Sequence, residues 1–180
     1  YGYEGKAYSH TEEHEFDNAI YRHSKHTWTF KPVASILRKY IGHGALNKQL
    51  PSFWCQTAQG FRWGLLSGLM DTDGTVSISK GGERRLAYST TSQKLAYEIS
   101  GLIYSLGMSA GMTIFTRKTG TVEYTVRFLM GRIQNVIGKL KLNNKDKAAK
   151  LEEMYKYYAT RKEILFTPTL PISRLQELRT

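Results

Sequence analysis

The sequence predicts a mixed α/β (α+β) domain in which helices cover one face of a four-stranded antiparallel sheet and leave the other face polar and open. Two pairs of short segments alternate polar and apolar residues on either side of glycine-containing turns, which is typical of hairpins. Segments with apolar residues at helical spacing stand before, between and after these pairs. The 180 residues are 41% hydrophobic, enough to supply a core. The predicted order is therefore helix, two strands, helix, two strands, helices.

The first part of the chain is less regular than the rest. Residues 1–26 are rich in Tyr, His and Glu and follow neither period, which predicts a loop or extension with a short helix near Glu12 to Arg22. Thr27 to Phe30 resembles the end of a strand, and Lys31 to Tyr40 has apolar residues at helical spacing. Two glycines and a proline then indicate a connector: Gly42, Gly44 and Pro51.

The next predicted elements are a helix and a hairpin. Helical spacing runs from about Ala58 to Met70 and breaks at Asp71-Thr72-Asp73-Gly74. Thr75 to Lys80 alternates small polar with apolar residues, and Gly81-Gly82 supplies the turn into Arg84 to Thr91. This pattern predicts a half-buried hairpin.

A second helix and hairpin follow, and further helices close the domain. Ser92 or Thr91 is a suitable N-cap for a helix that runs to Leu106, and Gly107 is its expected stop. The remaining predicted elements are strands at Met112 to Thr116 and Thr121 to Phe128 and helices near Arg132 to Leu140 and Lys145 to Thr160.

Charge and cysteine content narrow the class of protein. The formal net charge is +11, and residues 75–165 hold 16 basic and 7 acidic side chains against 8 and 7 in residues 1–74, which favours a polyanionic partner. The single cysteine, Cys55, excludes an intrachain disulfide, and no apolar run approaches the ~20 residues that span a bilayer. We therefore expect an intracellular protein, in the cytoplasm, nucleoid or an organelle, without a membrane partner. The absence of an initial Met suggests a fragment or a processed product.

Two carboxylates and a glycine end the helix that precedes the first hairpin. Asp73 could bind a hard divalent cation through oxygen, and Gly74 would let the chain turn sharply. The alternative is that Asp71 and Asp73 only satisfy backbone groups at a helix-to-strand turn. An EF-hand loop is excluded because the twelfth residue from Asp71 is Gly82 rather than Glu.

Small residues form a stripe on the same helix. Gly64 and Gly68 stand four positions apart, and together with Ser67 they would allow a second helix to approach closely. Such a pair of helices would place two copies of Asp73 together. The alternative is that Gly64 is accidental.

The residues Leu66 through Gly74, followed by the two strand pairs, resemble the LAGLIDADG homing endonucleases. Six of the nine letters of the motif are kept, and the likeness extends over about Ala58 to Ala159 in the family's αββαββα order. The resemblance implies a saddle-shaped sheet over double-stranded DNA, a site-specific double-strand break and a Mg²⁺ cofactor. It also implies a second LAGLIDADG half or a homodimer, because each motif serves one strand.

The resemblance carries roles to individual residues. Asp73 would be the metal-binding and catalytic carboxylate, Thr72 would offer its backbone carbonyl to the metal, and Asp71 would be mainly structural. Lys145 is the candidate catalytic lysine and Thr91 stands at the family's polar catalytic position. Lys147 and Lys141 are close alternatives to Lys145, which could also be an ordinary solvated residue at the start of a helix.

DNA recognition is expected on the open face of the sheet, whose side chains could follow a major groove. Placing Leu86 and Tyr88 inward turns Arg85, Ser89 and Thr91 toward DNA. The strand residues predicted to face DNA are Thr75, Ser77, Ser79, Arg85, Ser89, Thr113, Arg117, Glu123, Thr125 and Arg127. The lysines predicted to meet phosphates are Lys94, Lys118, Lys139, Lys141, Lys147 and Lys150, each of which could instead serve solubility.

The expected layout is an N-terminal extension over residues 1–52, the endonuclease domain over 53–165 and a tail over 166–180. The stretch from Ile41 to Pro51 resembles the approach to the second motif in endonucleases embedded in inteins, so the extension could be the remnant of another half. Self-splicing is not expected, since residue 1 is Tyr and the chain ends without His-Asn. Two other functions stay open: a DNA-binding regulator that has lost cleavage, and an RNA maturase that assists an intron.

Overall fold

The fold is given by a computed structural model, which describes residues 6–16, 19–29, 31–129 and 138–159. Two strands open it, β1 (Lys6–Phe16) and β2 (Ala19–Thr29), and they pair antiparallel from one end to the other. The prediction of a loop with a short helix near Glu12 to Arg22 is therefore wrong. Both strands carry polar residues at odd and even positions alike, so the period-two signal of a half-buried strand is missing from the sequence.

Helix α1 (Lys31–Ile41) follows β2, as its apolar spacing predicts, and none of its residues is buried. Its apolar face is exposed, including Val33, Ile36 and Leu37. Two short 3₁₀ turns, at Ala45–Asn47 and Trp54–Gln56, then lead to the main domain.

The main domain has the predicted order of helices and strands. Its elements are α2 (Gln59–Thr72), β3 (Gly74–Ile78), β4 (Arg84–Thr90), α3 (Gln93–Ser105), β5 (Ser109–Thr116), β6 (Val122–Leu129) and α4 (Lys145–Ala159). The helix expected near Arg132 to Leu140 falls largely on residues 130–137, outside the described residues. No helix in the described ranges combines the length and apolar character that crossing a membrane requires.

The four strands of this domain form one antiparallel sheet in the order β3-β4-β6-β5. Val76 lies opposite Leu86, and Tyr88 lies opposite Val126, and all four are buried. The predicted inward orientation of Leu86 and Tyr88 is therefore confirmed. Because side chains alternate across a strand, the odd-numbered residues of β3, β4, β5 and β6 share the outer face.

Helices α2, α3 and α4 close the inner face with their apolar stripes. Ser92 is the N-cap of α3, and its Oγ accepts a hydrogen bond from Leu95 N at 3.3 Å, while Gly107 follows the helix with φ of 81°. The helical core residues are Trp63, Leu66 and Met70 of α2, Leu95, Ala96, Ile99, Leu102 and Ile103 of α3, and Leu151, Met154 and Tyr155 of α4. This packing fixes the C-terminal end of α2 against the start of β3.

Candidate active site and nucleic-acid face

Asp73 stands at the junction between α2 and β3. It is the C-cap of α2, its backbone N–H bonds to Leu69 O at 3.2 Å, and its side chain is 56% exposed. Gly74 begins β3 so close to the helix that an added Cβ would lie 2.5 Å from Met70 Cα. The glycine therefore allows the strand to leave the helix at once, with an exposed carboxylate at the corner.

Two other side chains meet the Asp73 carboxylate. Lys48 Nζ lies 3.6 Å from Asp73 Oδ2, and the Tyr88 hydroxyl donates a hydrogen bond of 3.4 Å to the same oxygen. Burial raises the pKa of Tyr88 to about 12, and the charge of Asp73 contributes to the rise. Tyr88 therefore stays a neutral O–H donor at neutral pH.

The connector before α2 holds Lys48 in place. Ser92 Oγ donates to Lys48 O at 2.6 Å, and Leu50 N donates to Glu98 Oε2 at 2.6 Å, so both anchors lie on α3 or its cap. Leu50 itself is buried in the core. The sequence does not mark Lys48 as a site residue, because its closeness to Asp73 depends on this tertiary tether and on no local pattern.

Asp71 faces a different part of the molecule. Its carboxylate accepts hydrogen bonds from Asn143 N at 3.0 Å and Asn144 N at 2.8 Å, at the start of α4. These backbone hydrogen bonds lower the pKa of Asp71, Asn144 having the larger effect. The carboxylate thus joins the N-terminal end of α4 to the C-terminal end of α2.

The lysine that reaches the end of α2 is Lys147. Its Nζ donates to the carbonyl oxygens of three successive residues, Met70 at 3.1 Å, Asp71 at 2.9 Å and Thr72 at 2.8 Å. A cation at this position also compensates the negative end of the helix dipole. Lys145 is the exposed first residue of α4.

Three further candidates are placed by the surrounding backbone. Thr91 is half-buried between the end of β4 and the N-cap of α3. Lys141 donates its backbone N–H to Ser67 Oγ at 3.2 Å. Lys94 Nζ, on the helical side of the domain, bonds to Gln49 Oε1.

At this corner the described residues offer a metal ion hard oxygen donors. The Asp73 carboxylate is accessible, and the Thr72 carbonyl has a second lone pair beside the one that Lys147 uses. Among the described residues, no group of three or more His, Cys, Asp or Glu side chains could hold a metal. The donors fit Mg²⁺, which commonly takes one or two carboxylates and fills its remaining positions with water and phosphate oxygens.

The outer face of the sheet brings together most residues predicted to face DNA. Ser89 and Thr125 lie opposite each other on β4 and β6, and their hydroxyl oxygens are 2.8 Å apart. Arg117, just after β5, pairs with Glu123 of β6. The strand residues that share this face are Thr75, Ser77, Arg85, Ser89, Thr113, Glu123, Thr125 and Arg127. Ser79 and Lys118 lie in the turns of the two hairpins, both exposed.

One side of α2 is open. A Cβ added at Gly64 or Gly68 would meet no atom within 4 Å, and a groove of about 560 Å³ runs past both glycines with Leu65 and Leu69 in its wall. Lys48 and Asp73 also line this groove. Ser67, which the sequence groups with the two glycines, is instead engaged through its hydroxyl by the backbone N–H of Lys141, as described above.

Comparison with known proteins supports this architecture. The family model described as LAGLIDADG-like domain matches residues 61–155, more than half of the chain. The ATP-dependent DNA helicase Hel308 of Thermococcus kodakarensis is 34% identical over 128 residues, which are 69% of this chain and 10% of that protein. The replicative DNA helicase DnaB of Mycobacterium intracellulare is 35% identical over 86 residues, 46% of this chain and 14% of that protein. The chain thus spans a small fraction of the length of these relatives.

The matched segment begins in the first turn of α2, contains the carboxylates at the end of that helix, the whole four-stranded sheet and α3, and ends within α4. These are the elements whose order and geometry build the corner at Asp73 and the outer face of the sheet. The chain belongs to the LAGLIDADG-like domain family, a family of DNA-binding proteins and nucleases.

Proposed function

We propose that this chain is one half of a site-specific DNA endonuclease that makes a Mg²⁺-dependent double-strand break. The observation that carries the proposal is the exposed Asp73 carboxylate, at the end of α2 and 3.6 Å from the Lys48 ammonium. In a protein of net charge +11 that only bound DNA, a carboxylate next to the phosphates would lower the affinity for DNA. A carboxylate that holds a cation at a phosphate removes that penalty and assists catalysis.

The outer face of the sheet is the proposed DNA surface. Its hydroxyl and guanidinium side chains alternate along four antiparallel strands, an arrangement that suits contact with base edges in a major groove. Lysines outside the strands of this sheet would contact phosphates and give affinity without sequence information. The proposed phosphate contacts are Lys94, Lys118, Lys139, Lys141 and Lys150.

The chemistry assigns different tasks to the residues at the corner. Hydrolysis joins a water oxygen to phosphorus, breaks the bond to the 3′ oxygen and leaves that oxygen with a proton. A Mg²⁺ ion held by the Asp73 carboxylate and Thr72 carbonyl would neutralise charge on the phosphate and assist the leaving oxygen. Tyr88 orients the carboxylate by its hydrogen bond, and the Lys48 ammonium supplies positive charge where the transition state becomes more negative.

The three other lysine and threonine candidates take roles that follow from their positions. Lys147 is bonded to three carbonyls, so we assign it to holding the end of α2 and the Thr72 carbonyl in place. Lys145, exposed at the start of α4, is the proposed contact to the DNA backbone or the attacking water. Thr91 remains the proposed polar partner near the site.

Cutting both strands requires a second site, and the open side of α2 is the proposed place for the second half. Gly64 and Gly68 leave room there for another helix to pack closely. The order β1-β2-α1 repeats the strand-strand-helix order that ends the main domain, which supports residues 1–52 as the remnant of another half. The partner is either that half or a second copy of this chain.

The chain matches 10% of one helicase and 14% of another helicase of a different name. These small fractions support the idea that the matched segment is a mobile module carried within longer proteins. We therefore propose an intein or intron context for the endonuclease. The domain limits proposed from the sequence, 53–165 for the endonuclease and 166–180 for a tail, belong to this proposal.

The experiment is cleavage selection from a randomised duplex library with Mg²⁺, comparing the wild-type chain with Asp73→Asn and with Asp146→Asn as a charge-matched control on α4. We expect double-strand cleavage by the wild type and the control, and binding without cleavage by Asp73→Asn. Cleavage by Asp73→Asn would remove Asp73 from catalysis. Sequence-specific binding with no nicking by the wild type would favour the regulator, and binding of intron RNA without nicking would favour the maturase.

A further inference from the structure

Arg117 and Glu123 form a side-chain ion pair next to the turn of the β5–β6 hairpin. Arg117 Nε donates to Glu123 Oε2 at 2.9 Å, and Arg117 Nη2 donates to the same oxygen. The arginine side chain is 60% exposed, whereas that of Glu123 is 22% exposed. The less exposed carboxylate of Glu123 thus fixes the orientation of the more exposed guanidinium of Arg117.

These two hydrogen bonds leave the other edge of the guanidinium available. A guanidinium has five N–H groups in a fixed planar fork, and none of the bonds to Glu123 uses Nη1. The edge formed by Nη1 and Nη2 presents two parallel donors. This edge matches O6 and N7 of guanine in the major groove, which is the commonest specific contact of arginine with DNA.

A carboxylate on this face also needs an explanation of its own. Glu123 of β6 lies opposite Phe115 of β5, and its side chain is on the same face of the sheet as those of Thr125 and Arg127. If that face binds DNA, the negative charge of Glu123 opposes binding to every sequence. A surface ion pair contributes little to stability, so closing the hairpin is a weak reason to keep it.

We propose that Arg117 reads a guanine and that Glu123 is the positioning residue that orients its guanidinium. This inference rests on the proposed function, since it requires duplex DNA on the outer face. Holding the side chain before binding lowers the entropy lost when the contact forms, and it aims the donors at base edges instead of phosphates.

The experiment is selection of bound sites from a randomised duplex library by the full-length chain, followed by affinity measurements on the selected site and on variants with each base replaced. The variants are Arg117→Lys, which keeps the charge but loses the fork, and Glu123→Gln. Glu83→Gln removes the same charge from the turn of the other hairpin and is the matched control. Circular dichroism checks that each variant keeps the fold.

We expect the wild type to prefer guanine at one position by roughly tenfold or more, and Arg117→Lys to abolish that preference alone. Glu123→Gln should bind all sequences more tightly yet discriminate less at that one position, while Glu83→Gln leaves discrimination unchanged. If Arg117→Lys and Glu123→Gln both keep every base preference of the wild type, the inference is overturned and the endonuclease proposal stands. A wild-type chain that binds no duplex sequence selectively overturns both.

Discussion

Two carboxylates that stand two positions apart in one motif have different partners. Asp71 accepts backbone hydrogen bonds from Asn143 and Asn144, whereas Asp73 meets the side chains of Lys48 and Tyr88. The first arrangement joins two helices, and the second leaves an accessible oxygen beside a cation. Stability and catalysis are therefore expected to separate between the two residues.

Replacing Asp71 with Asn should destabilise the fold in a pH-dependent way. The pKa of Asp71 is lowered in the folded state by the two backbone hydrogen bonds, so its ionised form stabilises the protein fully above the unfolded value of 3.8. That contribution is lost as the pH falls through the lowered pKa. Urea unfolding should show a less stable Asp71→Asn at pH 7 and a smaller difference from the wild type in acid. A difference that grows in acid would contradict the assigned role.

Asp73→Asn is the control for this prediction. Its ion pair with Lys48 is solvent-exposed at both ends, and such pairs contribute about 0–1 kcal/mol. Its free energy of unfolding should therefore stay within about 1 kcal/mol of the wild type, although its cleavage is expected to be lost.

Replacing Lys48 with Met should reduce cleavage by roughly 10²-fold or more, because removal of one preorganised charge or donor at a transition state has effects of that size. Single-turnover cleavage of the selected site measures it. Lys39→Met is the matched control, because it removes the same charge from a side chain in the last turn of α1 that lies over the Tyr40 ring. Equal cleavage rates for Lys48→Met and Lys39→Met would exclude a catalytic role for Lys48.

At the scale of elements, the N-cap of α3 links helix stability to the site. Ser92 is fully buried, accepts from Leu95 N and donates to Lys48 O at 2.6 Å. One hydroxyl therefore both starts α3 and tethers the connector that carries Lys48.

Ser92→Ala should lower the free energy of unfolding by about 1–2 kcal/mol, since it removes the cap and leaves the Lys48 carbonyl without this donor. Its cleavage rate should also fall, because the backbone at Lys48 is released. Ser100→Ala in the middle of α3, where Oγ bonds to Ala96 O, should change stability by less than about 0.5 kcal/mol and leave cleavage unchanged. Chemical denaturation measures the stability and single-turnover cleavage measures the rate. Equal values for Ser92→Ala and Ser100→Ala in both measurements would contradict this expectation.

Most elements of the main domain are predictable because they have one buried face. On β4, the buried Leu86 and Tyr88 share the inner face and are flanked by the polar Arg85 and Ser89, although the small Ala87 between them is also buried. The spacing of Leu95, Ile99 and Leu102 marks α3. The β1–β2 hairpin has no such pattern in its sequence, which is why the prediction of a loop with a short helix is wrong there. The placement of Lys48 beside Asp73 is equally invisible locally, since it results from hydrogen bonds between distant segments.

At the scale of the whole molecule, two surfaces of the described structure lack a partner that the proposed function requires. One is the polar outer face of the sheet, and the other is the open side of α2. The apolar face of α1, which precedes α2 in the chain, is exposed as well. Asp73 lies where α2 meets β3, an edge strand of the sheet, and it also lines the groove along α2. A second helix on the groove would bring its own carboxylate to the same corner.

Substitutions at Gly68 test this arrangement because they separate folding from assembly. A Cβ at Gly68 meets open space, and Gly is unfavourable within a helix, so Gly68→Ala should stabilise the isolated chain by about 0.5–1 kcal/mol. Gly68→Leu should also fold, because its Cβ meets the same open space, but it should hold a partner helix too far away, so that double-strand cleavage is lost. Where the partner is a second copy of this chain, the solution mass should also shift to the single chain. Thermal unfolding, light scattering and cleavage of the selected duplex measure the three quantities. Double-strand cleavage by Gly68→Leu at the wild-type rate would show that the second active site is reached by some route other than the open side of α2.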